Sequence, residues 1–236
     1  MKKILLYSGG SDSWLIDKLW KPDVRVYVDM KTRYSEQEMK KLDKNVKIIE
    51  FPLGKYERED AIIPLRNLYL PMVICNEFPE DDLDICLGAT AGDRVLDKSF
   101  VFADSASALL TYLYSPQHWI PNGRRIHINI NYKKFTKTQL LKMFIEQGGD
   151  INKAFNCSFS CYNPVNGKEC WHCKPCFRKF VSFALNGMNF EKEVVETVIA
   201  YIKKEIMPFI LNGTYGRKQE EEEIKQVVKM YVDGKL

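Results

Sequence analysis

The chain has 236 residues, of which 45% are hydrophobic and 28% charged, with a formal net charge of +4. That length suits one α/β domain with a real core plus a small appendage, and it excludes two large catalytic domains. The mild charge admits an anionic ligand, but with no dense basic stripe it argues against direct nucleic-acid binding.

The opening MKKILLYSGG has two lysines before an apolar run, but Ile4 to Tyr7 is too short for a signal-peptide core. No apolar stretch approaches a membrane span. A cytoplasmic protein is therefore expected, and its seven cysteines should be reduced thiols or metal ligands.

In chain order, KKILLYS (2–8) predicts a buried strand ending in glycine, and 11–21 a helix started by Ser11 or Asp12. VRVYVDM (24–30) is a second strand, SEQEMKKLDK a polar surface helix, and VKIIEF (46–51) a third strand. The segment 64–78 is a helix in which Pro71 should make a kink or mark the first turn. LDICLGAT (83–90) is a fourth strand, FADSASALLTYLY a helix, IHINI a strand, and 135–149 a helix closed by glycine. Strands alternating with helices predict a Rossmann-like parallel sheet with helices on both faces.

Beyond residue 187 the pattern changes. Val194, Val195, Val198, Ile199, Ile202 and Ile206 form one helical stripe, and Ile224, Val227, Val228 and Tyr231 a second, with NGTYG between them. A helical pair is expected, packing on the domain or across a homodimer contact, and the glutamate run should be a solvated face. The organisation expected is an α/β nucleotide domain over 1–150, a metal-binding segment over 151–187 and a helical extension over 188–236.

Two motifs carry chemistry. Ser8-Gly9-Gly10-Ser11-Asp12-Ser13 stands between the first strand and the first helix. Two glycines permit a tight turn and close approach to a ligand, and the helix start offers free N–H groups and the positive end of its dipole. Ser8, Ser11 and Ser13 add hydroxyls. Asp12 would repel a bare phosphate, so its presence points to Mg²⁺ between carboxylate and phosphate.

The second motif is Cys161-x8-Cys170-x2-Cys173-x2-Cys176. Four thiolates at this spacing suit tetrahedral Zn²⁺, with an iron–sulfur cluster as the competing reading. Lys168, Lys174, Arg178 and Lys179 would offset the negative charge of such a site. Cys75 and Cys86 should be buried apolar residues, Cys157 is a weaker candidate ligand, and His172 a surface or supporting group. With all four positions filled the site should be structural.

The SGGSDS loop resembles that of the ATP pyrophosphatase (PP-loop) superfamily. With SCYNPVNGKECWHCKPCFRKF (160–180) the chain resembles the 7-cyano-7-deazaguanine synthases of the queuosine pathway, over most of residues 3–186. Supporting matches are Ser160-Cys161-Tyr162 and Arg178, the Pro64, Arg66 and Asn67 segment, the Thr136-Lys137 pair, and Gly88 followed by Asp93.

The resemblance implies an adenine nucleotide alpha hydrolase-like fold with a small C-terminal zinc-binding helical lobe pinned over the nucleotide cleft. It implies that the loop grips the pyrophosphate of ATP, with adenine near Val28 to Met30. It assigns phosphate contacts to Arg66 and Lys137, and the deazaguanine edge to Gly88 with Asp93 or Asp97. The activity implied is ATP-dependent conversion of 7-carboxy-7-deazaguanine and ammonia to the nitrile, releasing AMP twice. No glutaminase fits in the length, so ammonia should come from solution or from a partner.

There are departures. MKTRYSEQE after the second strand keeps only Arg33 of the family pattern, and DRVLDKSFVF replaces the family's base-binding segment. The tail exceeds the usual family length. Alternatives are a relative that stops at the amide or uses another amine, a PP-loop tRNA thiolase, and a non-catalytic zinc adaptor.

Overall fold

Short β-rich runs form a parallel sheet because each is followed by enough helical chain to cross back over it. In the computed structural model, which describes residues 1–161 and 163–232, the strands are β1 (Lys2–Leu6), β2 (Val24–Asp29), β3 (Lys47–Glu50), β4 (Leu83–Cys86) and β5 (Ile126–Asn129). Tyr162 of the Ser-Cys-Tyr motif lies outside the described residues, as does the end of the expected extension.

The sheet of described strands is all-parallel, in the order β3-β2-β1-β4-β5. The order steps one way from β1 through β3 and the other way through β4 and β5. Right-handed crossovers then put the first connecting helices on one face and the later ones on the other. The reversal point lies between β1 and β4, the position at which open α/β sheets bind ligands beyond their carboxyl ends.

Two strands stop earlier than their apolar runs do. Gly9 at φ 71° and Gly88 at φ 63° turn the chain out of β1 and β4, in a backbone region that costs glycine nothing. A Cβ on Gly88 would stand 3.9 Å from the Leu6 carbonyl oxygen, so the two exits are neighbours.

The helices are α1 (Ser11–Trp20), α2 (Ser35–Met39), α3 (Arg66–Glu77), α4 (Phe100–Leu113), α5 (Lys137–Glu146), α6 (Ile151–Cys157), α7 (Lys174–Ala184), α8 (Lys192–Tyr201), α9 (Met207–Leu211) and α10 (Lys218–Val232). Pro71 neither starts nor ends α3: it lies buried inside a helix that runs on to Glu77. The Ser99 hydroxyl caps α4 by accepting from the Phe102 N–H at 3.0 Å. No described helix is long and apolar enough to cross a membrane.

The chain divides into two compact units. The first comprises Met1–Gly9, Ile16–Ala89 and Asp93–Lys133. Its core sets Ile4, Val26, Ile85 and Ile128 of the sheet against Leu70 and Ile74 of α3 and Ala103, Ala106 and Leu110 of α4. The second comprises Gly10–Leu15, Thr90–Gly92 and the chain from Lys134 on.

The core of the second unit joins Phe177, Phe180, Val181 and Ala184 of α7 to Val195, Val198 and Ile199 of α8 and Ile224 and Val227 of α10. A π turn, Ile202–Ile206, links α8 to α9 and keeps Ile202 and Ile206 inside. Both apolar stripes of the tail are thus covered within the chain, by α7 and by each other.

Candidate functional site

The loop after β1 runs directly into α1. Ser8 is exposed and Gly9 buried. Ser11 and Ser13 are buried, and the Ser13 hydroxyl donates to the Gly10 carbonyl at 3.1 Å. The Trp14 N–H also reaches Gly10, at 2.9 Å, closing the first turn. Of the three hydroxyls expected to face a ligand, that of Ser13 serves the backbone, and that of Ser11 meets the Ser160 hydroxyl at 3.1 Å.

Within the second unit, Lys137 of α5 and Ser160 meet this helix start, and a second set of contacts ties the start of α5, and Arg178 of α7, to α10. Lys137, the first residue of α5, forms an ion pair through Nζ with Asp12 Oδ1 in the first turn of α1. Thr136 caps α5, accepting from the Gln139 N–H at 3.2 Å while the Gln139 side chain accepts from the Thr136 N–H at 2.9 Å, a complete capping box. The Thr136 hydroxyl donates to Glu223 Oε1 at 2.5 Å, and the Thr138 hydroxyl to Glu223 Oε2 at 2.8 Å. Arg178 Nε donates to Glu220 Oε1 at 2.6 Å, and the Tyr215 hydroxyl to the same oxygen at 2.8 Å. A Cβ on Gly92 would stand 3.0 Å from Glu220 Oε2, so the Thr90–Gly92 segment lies against that carboxylate.

The cysteine cluster is complete. The sulfurs of Cys161, Cys170, Cys173 and Cys176 all lie within 4.8 Å of one another, and each residue is at most 9% exposed. Cys173 precedes α7 and Cys176 sits in its first turn, with Pro175 opening the helix where its missing N–H costs nothing. Metal–sulfur bonds of about 2.3 Å set tetrahedral sulfurs about 3.8 Å apart. Cys170 and Cys176 stand at 4.0 Å, so the set fits one ion. A multi-iron cluster places several irons between its thiolates and spreads them further.

Burial pushes the Cys170 thiol up to about 12. Cys176 is pushed up by its hydrogen bond with Cys173 and by burial. A bound cation reverses that preference and holds thiolates. Cys157 is exposed and outside the cluster. The His172 ring contacts the Cys170 carbonyl through Nδ1 at 2.6 Å and is likewise no part of the sulfur cluster.

The charge balance differs from the expectation. Lys179 is 1% exposed and committed to Glu169 at 3.0 Å, as well as to the Phe155 and Ser158 carbonyls. Arg178 is committed to Glu220. Lys168 and Lys174, the other two of the four expected cations, are exposed. Cluster and loop are joined by one residue: Ser160 donates its N–H to Glu169 at 2.8 Å, accepts from the Cys176 thiol at 3.2 Å through its carbonyl, and meets Ser11 through its hydroxyl.

The remaining expected site residues lie in the first unit. The Met30 carbonyl already accepts from the Leu53 N–H at 2.9 Å and the Gly54 N–H at 2.7 Å. Arg66 opens α3 and attracts the half-buried Glu38 carboxyl. Asp97 accepts from the Asn67 N–H at 3.3 Å, so it serves as a cap for the first turn of α3. Asp93 pairs with Lys98 at 3.3 Å, and its carbonyl takes Lys133 Nζ at 2.7 Å. Gly88 marks the exit from β4.

Glu220, Glu223, Tyr215 and Glu169 were not singled out in the sequence, and Ser160 only as part of the Ser-Cys-Tyr signature. For the two α10 carboxylates a signal existed. Glu220, Glu223, Ile224 and Val227 share one helix face, so the run of glutamates is not wholly a solvated face: half of it continues the apolar stripe inward.

Compared with protein-family models, with curated proteins and with solved structures, the chain matches none.

Proposed function

We propose that this protein is an ATP-dependent ligase that activates a carboxylate as its adenylate and transfers it to nitrogen, with 7-carboxy-7-deazaguanine as substrate, ammonia as donor and 7-cyano-7-deazaguanine as product. One observation carries the reading. The SGGSDS loop opens α1 at a point where the first turn of a second helix, α5, delivers Lys137 to Asp12. Two helix starts and an ammonium group around one carboxylate make a setting for a metal-bound polyphosphate. The 3-2-1-4-5 sheet order, with the loop at its reversal point, supports an adenine nucleotide alpha hydrolase-like fold.

In this reading Ser8 to Ser13 hold the pyrophosphate and Asp12 faces Mg²⁺, which screens the phosphates when bound. Lys137 then exchanges its partner from carboxylate to phosphate. Arg66 is the second phosphate contact. A carboxylate is a poor electrophile, so its oxygen attacks the α-phosphorus and pyrophosphate leaves. Ammonia displaces AMP to give the amide, and a second adenylation on the amide oxygen lets AMP leave again as the nitrile forms. The protein's part is to position the reactants and stabilise the charges that develop.

The four-cysteine site takes zinc as a structural ion, closed on all four sides. Ser160 is the means by which that ion steadies the first turn of α1. A sulfur-transfer activity is less well supported. Outside the cluster stand the exposed Cys157 and the buried Cys75 and Cys86, and burial pushes Cys75 up to about 11 and Cys86 up to about 12, which disfavours their thiolates.

A second reading keeps the adenylation and changes the product: an amide, or a conjugate with another amine. It is favoured by the departure DRVLDKSFVF, where Asp93 and Asp97 each already serve a protein partner through one oxygen. One reaction separates these readings. The protein is mixed with ATP, Mg²⁺, ammonium and 7-carboxy-7-deazaguanine, the base is weighed by mass spectrometry, and AMP is counted. Nitrile with two AMP per base upholds the first reading, and amide with one AMP the second. No AMP from folded, zinc-loaded protein with this or other acids leaves a metal-binding adaptor.

A further inference from the structure

The C-terminal helix reaches into the candidate site with charge. Glu220 and Glu223 are one turn apart on α10, on the side that buries Ile224 and Val227. Apolar packing alone would account for the docking of α10 and requires no carboxylate beneath it. Yet Glu220 gathers Arg178, Tyr215 and Arg217, the last at 3.6 Å, and Glu223 gathers two hydroxyls at the start of α5. Burying carboxylates is costly unless each is paired, and here both are paired, Glu223 with the two hydroxyls that flank Lys137. Burial pushes the Glu223 carboxyl upward, while the Thr136 and Thr138 hydroxyls draw it back.

We infer that Glu220 and Glu223 are positioning residues: Glu220 fixes the guanidinium of Arg178, and Glu223 clamps the first turn of α5 so that Lys137 meets the ligand of Asp12. This rests on the reading that the Asp12–Lys137 site binds a metal-complexed polyphosphate. Glu220 through Nε, with the Tyr215 hydroxyl beside it, fixes the direction of the Arg178 guanidinium. Clamping Thr136 and Thr138 on both sides of Lys137 restricts the backbone from which its long side chain swings. The tail beyond residue 187 is then part of the site.

The test measures binding of Mg²⁺ and the non-hydrolysable α,β-methylene analogue of ATP to the full chain by calorimetry. Zinc content and far-UV circular dichroism are recorded for each variant. Glu220→Gln and Glu223→Gln should each weaken binding about tenfold or more, as loss of an orienting partner commonly does. Zinc and helix content should be unchanged. Glu222→Gln, on the exposed side of the same helix, should bind like the wild type. Glu220→Asp keeps the charge with a shorter reach and should recover part of the loss, which a simple loss of packing would not give. It also replaces Glu220→Gln should that variant not fold.

Equal binding in all variants overturns the inference while the wild type still upholds the nucleotide site. Tighter binding in Glu220→Gln or Glu223→Gln also overturns it, because the carboxylates would then be competitors of phosphate. If the wild type binds no nucleotide, the ligase reading fails and the inference falls with it.

Discussion

Glu38 shows how far one side chain's environment departs from its sequence setting. It belongs to a polar surface segment, yet its carboxyl accepts from the Tyr27 hydroxyl at 2.9 Å and is pushed above its ordinary value by burial, with Asp29 and Glu57 adding to the push and Arg66 opposing it. A carboxyl raised in the folded state holds its proton longer than the unfolded chain does. Stability therefore falls as pH rises from the ordinary glutamate value of 4.5 through the folded one. Glu38→Gln keeps an acceptor for Tyr27 and removes the titration. The variant should gain stability relative to the wild type between acid and neutral pH, measured by urea unfolding at both. A gap that is constant with pH would rule this out. The same contrast governs the cations. Thiolate spacing was legible because coordination is local in sequence, whereas the commitment of Lys179 to Glu169 depends on a fold that brings a loop over α7. Removing one partner of such a buried pair costs about 3–5 kcal/mol, so this lysine is structural before it is electrostatic.

At the scale of elements, helices with intact end signals were readable and those crowded by chemistry were not. The α5 helix announces itself by Thr136, Gln139 and a closing glycine, and the structure has the full capping box. By contrast α7 begins inside the cysteine run. Its stripe of Phe177, Phe180, Val181 and Ala184 overlaps the ligand spacing of the cysteines, although Pro175 marks its start. α10 was readable as an amphipathic helix, but Glu220 and Glu223, expected on its solvated face, lie on the side of Ile224 and Val227. The cap of α5 carries a measurable consequence. Thr136→Ala removes a cap worth about 1 kcal/mol. It also takes one donor from Glu223, whose remaining support is Thr138, a further loss of about 1–3 kcal/mol. Thr136→Ser retains both contacts and should stay close to the wild type in urea unfolding. Equal behaviour of the two variants would mean that α5 needs no cap.

For the whole molecule the decisive quantity is the ion that the four cysteines could hold. Alternating elements implied a parallel sheet with helices on both faces, but not where its order reverses, because nothing local distinguishes a fourth strand added beside β3 from one added beside β1. The core of the first unit contains no member of the cysteine cluster, whereas α7 of the second begins inside it. Structural zinc contributes about 10–16 kcal/mol of apparent binding energy, as much as the total stability of many domains at about 5–15 kcal/mol. Removing it should therefore release more than the knot. Cys176 and Glu169 hold Ser160, and Ser160 holds Ser11, so the first turn of α1 loses its anchor when the thiols separate. Hydrogen exchange after treatment with a strong chelator should show lost protection at residues 174–180 and 14–15, while amides of β1, β2 and β4 stay protected. Restored zinc should restore both regions together. Loss confined to the cysteine segment would show that the knot stands apart from the loop, and loss throughout the sheet would show that one cooperative unit depends on the ion.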